Sequence, residues 1–320
     1  MDDETRRVRR DEQRLAIRRR RAAGLAALLL VAAALAAIAL SAGGSGSPSA
    51  RSGATQQATS AHSSATSTPP ASTAGAGSGP PGHRAVPILM YHVIAPAPAG
   101  APFPGLYVPP PEFAEQMNAL KSAGWHAVTL DQVEAYWTRG VPLGPGRPIV
   151  VSFDNGYESQ YTQAFPTLRG LGWVGDENLQ LTGLPPSQGG IGQREVREML
   201  AAGWELDTQG FSHADLVTLS ATALHHEVAE SRTLLQRRFH VQVNWFCYPS
   251  GHYDPRVIAE VRAAGYAGST TVVPGWAHPG EDPYRLPRLR VLGGTSGAAL
   301  LSELASIRSD PPAPPSYTGA

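Results

Sequence analysis

The chain has 320 residues, 42% of them hydrophobic and 16% charged, and its formal net charge is zero. That balance excludes a strongly basic nucleic-acid binder, and no polyanion partner is expected for the chain as a whole. The single cysteine, Cys247, excludes an internal disulfide.

Residues 1–21 carry nine arginines, and residues 22–40, "AAGLAALLLVAAALAAIAL", carry no charge. About 20 apolar residues suffice to cross a bilayer as a helix. Arginines before the segment and none just after it place the N-terminus in the cytoplasm. The expectation is a single signal-anchor over 22–40; a cleaved signal peptide, with secretion, is the alternative. Residues 41–84 are almost entirely Ser, Gly, Ala, Thr and Pro. That composition is expected to form a tether, because it cannot bury enough apolar surface to offset its ordering entropy. A domain is expected over 85–308, and a loose tail over 309–320.

Within the domain, "VPILMYHV" (86–93) reads as a buried strand and "PEFAEQMNALKSAG" (111–124) as a helix with proline early and glycine at its end. "HAVTL" is a short strand, and "DQVEAYWTRG" a helix with Asp131 as its expected cap. "RPIVVSFD" is a strand that delivers Asp154 and Asn155 into a turn, followed by a helix through Tyr161 and Leu168. "ENLQL" is a weak strand, "QREVREMLAAG" a helix and "WELDTQ" a strand. "SATALHHEVAESRTLLQRRF" is a long helix with a Ser220 cap. "NWFCYP", "AGSTT" and "LRVL" are strands; "DPRVIAEVRAAG" and "SGAALLSELASI" are helices. Strand–helix alternation of this kind argues for a parallel sheet with helical cover. A (β/α) barrel and an open doubly wound sheet both satisfy it. Polar residues gather at strand ends: His92, Asp154 with Asn155, Gln209, and the loop after Tyr248.

The segments "VPILMYHVI", "VSFDNGYESQY", "GWELDTQGFSHADL", "FCYPSGHYD" and "LPRLRV", over residues 86–292, resemble the polysaccharide deacetylases, or NodB-homology domains. The closest pattern is the branch with a Tyr-His first strand and a YPxG loop. The resemblance implies a distorted (β/α) barrel and removal of acetyl groups from polymeric sugars with a divalent, zinc-like metal. It puts Asp154 at the general-base position and the backbone N–H of Tyr248 at the developing oxyanion. The metal positions it implies are Asn155, Gln209 and His213, where the family has Asp, His and His. Only His213 keeps the family residue. Neutral amide oxygens are weak partners for zinc-like ions, so tight metal binding is not expected here. His252 and His278 are candidates for the family's late histidine acid. In many relatives an arginine stands at the position of Cys247.

Expected substrate contacts are His92, Tyr157, Pro249, Gly251, Trp276 and Arg288, with Tyr91 and Trp245 as further aromatic candidates. Each has a plainer alternative. Asp154 would cap the following helix, His213 would pack against Asp215, Asn155 would hold a turn before Gly156, and Arg288, whose site reading is pairing with an acid in the pocket, would sit on the surface. Cys247 and Trp245 read as core. Three functions follow. One is a glycan-binding module for acetylated amino-sugar polysaccharide or peptidoglycan with weak or no turnover. The second is an active metal-dependent deacetylase, and the third a structural envelope protein. No nucleic-acid partner is expected.

Overall fold

Branched and aromatic residues run together at Arg147–Asn155, and this segment is the longest strand of the structure, buried from Pro148 onward. The structure is a computed structural model that describes residues 79–184 and 189–319. The expected anchor over 22–40, the basic segment 1–21 and tether residues 41–78 lie outside the described residues. Among the described residues, no helix is long and apolar enough to cross a membrane.

Eight strands are described: β1 (Ile88–Tyr91), β2 (Trp125–Ala127), β3 (Arg147–Asn155), β4 (Asp176–Leu179), β5 (Glu205–Thr208), β6 (Trp245–Cys247), β7 (Gly268–Thr270) and β8 (Leu289–Arg290). They form a parallel, curled sheet in the order β7–β6–β5–β4–β3–β1–β8, with β2 paired to β3. Beyond β7 the curl is drawn in by a single bridge, Thr270 to Leu286, just before β8. The expectation of a distorted (β/α) barrel holds as a parallel-strand α/β half-barrel: among the described residues no strand ladder joins β7 to β8.

Residues alternate between two environments along each strand. Leu89, Tyr91, Val151 and Phe153 face outward into a core built with α1 (Pro110–Ser122), α3 (Phe165–Leu171) and α8 (Gly297–Ser306). Leu206 and Phe246 pack with α5 (Ala221–His225), α6 (Ser231–Phe239) and α7 (Pro255–Ala263). The opposite face is mostly polar in its upper part. Ser152 lies beside Asp176 and Asp176 beside Glu205; two residues on, Asp154 lies beside Asn178 and Asn178 beside Asp207.

Helix α2 (Leu130–Arg139) differs from expectation at its start. Thr129, not Asp131, is the cap, accepting from Gln132 N in a capping box. Asp131 instead accepts from Asn244 Nδ2 and Trp245 Nε1. The helix α4 (Gln193–Ala201) forms as its apolar spacing indicates. The long helix over 220–239 has its Ser220 cap but carries a π-helical turn at His226–Glu230 between α5 and α6; another π turn, Gln160–Ala164, opens α3.

The last described segment is not loose. Tyr253 and Tyr317 exchange backbone hydrogen bonds, Tyr253 Oη donates to Pro314 O, and Ala313 is buried. At the other end, Gly82 N donates to Tyr136 O, so the end of the expected tether is docked.

Phe153 is fully buried and stacks on Tyr91 and Trp204. Phe153→Ala is expected to lower stability by about 3–5 kcal/mol, read as a lower denaturant midpoint at unchanged slope.

Candidate functional site

The C-terminal ends of β1, β3, β5 and β6, where a (β/α) architecture gathers its chemistry, surround a cavity of about 820 Å³. His92, Asp154, Asn155, Tyr157, Gln209, His213, Tyr248, Gly251 and His252 all line it. The structure therefore brings together most of the residues singled out in the sequence. Four described non-glycine residues have positive φ, and three of them are on this wall: Asn155 (82°), His213 (58°) and Ser250 (56°). Such backbone strain persists where the surroundings impose it, and it gathers at functional sites.

Asp154 is the charged floor of the cavity, and it is 1% exposed. Arg288, itself fully buried, grips it with two hydrogen bonds, Nη1 to Oδ1 at 2.7 Å and Nη2 to Oδ2 at 2.8 Å. Asn178 Nδ2 donates to Oδ1 at 3.0 Å, and Cys247 Sγ donates to Oδ2 at 3.4 Å. Arg288 is held in turn by Thr271 O, Ser152 Oγ and Cys247 Sγ. Burial alone would raise the Asp154 carboxyl; the Arg288 charge and its hydrogen bonds outweigh that and hold it at about 2. Burial also pushes the Cys247 thiol far up, so it stays protonated.

His92 Nε2 is 4.0 Å from Asp154 Oδ2, yet burial lowers its imidazole to about 4, so it is neutral at pH 7. Burial lowers His213 as well. Asn155 Nδ2 donates to Gln180 Oε1 at 2.9 Å, while Gln209 Oε1 is buried with no hydrogen-bond partner. His252 Nδ1 sits 3.0 Å from Asp215 Oδ1. Asp215 was the packing partner expected for His213. The Tyr248 N–H points to Thr270 O at 3.4 Å, a long contact that an oxyanion would have to displace.

Five expectations change. Arg288 is neither on the surface nor on the cavity wall: it lies beneath Asp154, because a buried carboxylate needs its cation. Trp276 is 7% exposed, packs against Trp125 and donates to Leu304 O, so it is core rather than a sugar platform. Tyr91 is likewise core, with its hydroxyl on Gln116. Pro249 is buried behind the loop whose neighbours line the cavity, and His278 lies away from it.

Several side chains around the site escaped sequence reasoning. Gln160 Nε2 donates to both His92 O and Asp154 O, tying two strand ends together. Glu227 accepts from Phe211 N, Ser212 N and Ser212 Oγ and so shapes the turn that presents His213. Both begin at or near π turns, which shift a helix face by one residue and often mark functional regions. The polar run "GDENLQL" signalled an unusual strand but not that Asn178 reaches Asp154.

A family model described as polysaccharide deacetylase matches residues 144–269. A Bacillus subtilis (strain 168) protein assigned to the polysaccharide deacetylases is 27% identical over 223 residues, 70% of this chain and 77% of its own length. A solved structure of a Bacillus anthracis protein assigned likewise is 27% identical, with a TM-score of 0.61 over 69% of each chain. Residues 144–269 thus carry a polysaccharide deacetylase domain.

The Staphylococcus aureus poly-beta-1,6-N-acetyl-D-glucosamine N-deacetylase is 23% identical over 199 residues, 56% of this chain and 66% of its own. Polysaccharide deacetylases of this kind are generally metal-dependent. The residues at the corresponding positions here do not fit a zinc-like ion. They offer two neutral amides and one imidazole, and Asn155 already shares its amide with Gln180. Among the described residues, no three carboxylate, imidazole or thiol groups converge at the cavity; the trio that does converge, Asp176, Glu205 and Asp207, lies toward the other end of the strands.

Two outcomes are expected. Arg288→Met leaves Asp154 buried without its cation, which costs about 3–5 kcal/mol at pH 7. In the native protein the Asp154 contribution is complete above its ordinary carboxyl value of 3.8 and lost as pH falls through about 2. The melting-temperature gap between the two proteins is therefore widest above pH 4 and narrows toward pH 2. Glu227→Ala is expected to speed hydrogen exchange at the Phe211 and Ser212 amides more than at the strand amides of β5.

Proposed function

We propose that this domain holds acetylated amino-sugar glycan in the cavity with weak or no turnover, outside the cytoplasm and tethered through residues 22–40. The supporting observation is the charge balance of the cavity. Asp154 is neutralised by Arg288, its two nearby imidazoles are neutral at pH 7, and amides stand at the ligand positions. A carboxylate held at about 2 is a poor proton acceptor near neutral pH, because a useful general base has a pKa near the working pH. A wall of neutral donors and acceptors suits an uncharged ligand rich in hydroxyl and acetamido groups. The remaining cation at the wall, Arg290, is exposed.

A second reading, a metal-dependent deacetylase that hydrolyses the acetamido C–N bond, is favoured by one atom. Gln209 Oε1 is a buried oxygen without a partner beside His213 on the same wall. In a third reading, a structural role in the envelope, the cavity takes no glycan at all.

Full-length protein titrated with chitooligosaccharides and β-1,6-linked N-acetylglucosamine oligomers, with metal content and acetate release measured on the same sample, separates the three. Glycan binding without a stoichiometric metal or acetate supports the proposal. A stoichiometric metal with acetate release selects the second reading, and absence of binding selects the third. Asn155→Asp with Gln209→His restores the family's ligand types and is expected to raise zinc affinity by at least about 100-fold.

A further inference from the structure

Strands β4 and β5 carry three carboxylates into the enclosed side of the sheet, toward the end opposite the cavity. Asp176 lies beside Glu205 in register, and Asp207 follows two residues later beside Asn178. Asp176 and Asp207 have no exposed surface, and Glu205 is partly buried. One oxygen of each has a backbone donor: Leu130 N for Asp176 at 2.8 Å, Asp131 N for Glu205 at 2.9 Å, and Trp245 N for Asp207 at 3.0 Å. The other oxygen of each, Oδ1 of Asp176, Oε1 of Glu205 and Oδ2 of Asp207, is buried and without a hydrogen-bond partner. Independently, one carboxylate oxygen from each of the three lies within 4.8 Å of the others.

Three such groups cannot all stay ionised and unmatched in a dry interior. Burial, together with mutual repulsion, drives their carboxyls well above the usual range. The neighbouring acid does not help, because both oxygens of Asp131 are taken by Asn244 and Trp245. Among the described residues no lysine or arginine forms an ion pair with any of the three. A proton satisfies one oxygen by directing it at another. A hard cation satisfies three at once: oxygens within 4.8 Å of one another lie within about 2.8 Å of a common centre, and closing them to about 4.2 Å apart gives the Ca²⁺–oxygen distance of about 2.4 Å.

We infer that Asp176, Glu205 and Asp207 form a buried site for a hard, oxygen-preferring divalent cation of the Ca²⁺ class. The donor set contains no nitrogen or sulfur, so it discriminates against zinc-like ions. The site is separate from the positions of Asn155, Gln209 and His213. It braces β4 against β5, with Asp207 level with the Asn178–Asp154 hydrogen bond and Asp176 and Glu205 one layer below it, and its role is structural.

The test is thermal unfolding of EDTA-treated full-length protein at pH 7.5 with Ca²⁺, Mg²⁺, Mn²⁺ or Zn²⁺ added singly, with calorimetric stoichiometry for the ion that acts. The expected result is a saturable rise in melting temperature with Ca²⁺ or Mn²⁺ at about one ion per chain. Asp207→Asn is expected to abolish the response and His213→Ala to keep it. Loss of the response in His213→Ala would move the ion to the cavity and overturn the inference. So would a wild-type melting temperature indifferent to every ion, with stability falling as pH rises and flattened by Glu205→Gln; that result means the trio is held by protons. If Asp207→Asn does not fold, elemental analysis of the untreated wild type decides. One calcium or manganese per chain supports the site, and none overturns it.

Discussion

One ion pair organises the enclosed side of this sheet. Asp154 stands at the end of its central strand, and Arg288, just before β8, is the cation that makes a buried carboxylate tolerable there. The pair also joins the ends of the curl, because Arg288 reaches β3 through Ser152 and Asp154, the loop after β7 through Thr271, and β6 through Cys247. A fork of five donors with a fixed geometry can do this, whereas a lysine could not. Removing water from two charges is expensive, so the interaction fixes which strands meet more than it adds net stability. The chemical consequence follows from the same bonds. The pairing that keeps Asp154 ionised also makes it a weak base.

The walls above this pair are placed by parts that lie outside them. Gln160 fixes the carbonyls of His92 and Asp154, and Glu227 fixes the turn that carries His213. Each side chain reaches inward from a helix interrupted by a π turn. A regular helix of the same sequence would rotate its next face by about 100° per residue, so the interruption sets the aim of the polar group. The left-handed backbone at Asn155 and His213 directly follows residues held by these anchors.

The order of strands and helices was legible because apolar periodicity reports burial, and burial is what makes a strand or helix here. Every segment marked as a strand is one, including β4, whose polar composition made it weak. Its polarity has a cause: Asp176 and Asn178 face the enclosed side, where partners are carboxylates, amides and a guanidinium rather than alkyl groups. The cavity-lining set was legible where residues sit at strand ends, as with His92, Asp154, Asn155 and Gln209. For Arg288 the sequence offered pairing with an acid in the pocket beside a surface position, without saying which acid, and for Trp276 the set was not legible. A one-dimensional sequence says that an arginine is costly to bury but not that a carboxylate 134 positions earlier has already committed that cost. Trp276 reads as a sugar platform because it lies between predicted elements, yet its indole fills the space between Trp125 and α8. The Thr129 cap was missed because the carboxylate at 131 is an equally good capping residue by type. The choice is made by Asn244 and Trp245, which occupy Asp131 from across the fold.

The two polar clusters on the enclosed side answer to the same constraint in opposite ways. On β3 a carboxylate meets a buried arginine, and its pKa falls. Toward β5 three carboxylates, Asp176 and Glu205 one layer below and Asp207 beside Asn178, meet no base, and theirs rise. Asn178 stands between them: its amide nitrogen serves Asp154 on β3 to one side, and in register it neighbours Asp207 on β5 to the other. An amide fits that position because it presents a donor to an anion without adding charge to an already acidic interior. An aromatic side chain there would leave Asp154 Oδ1 short of a donor, and a second carboxylate would compete with Asp154 for Arg288. The unusual polarity of β4 is thus a requirement of what stands on β3 and β5.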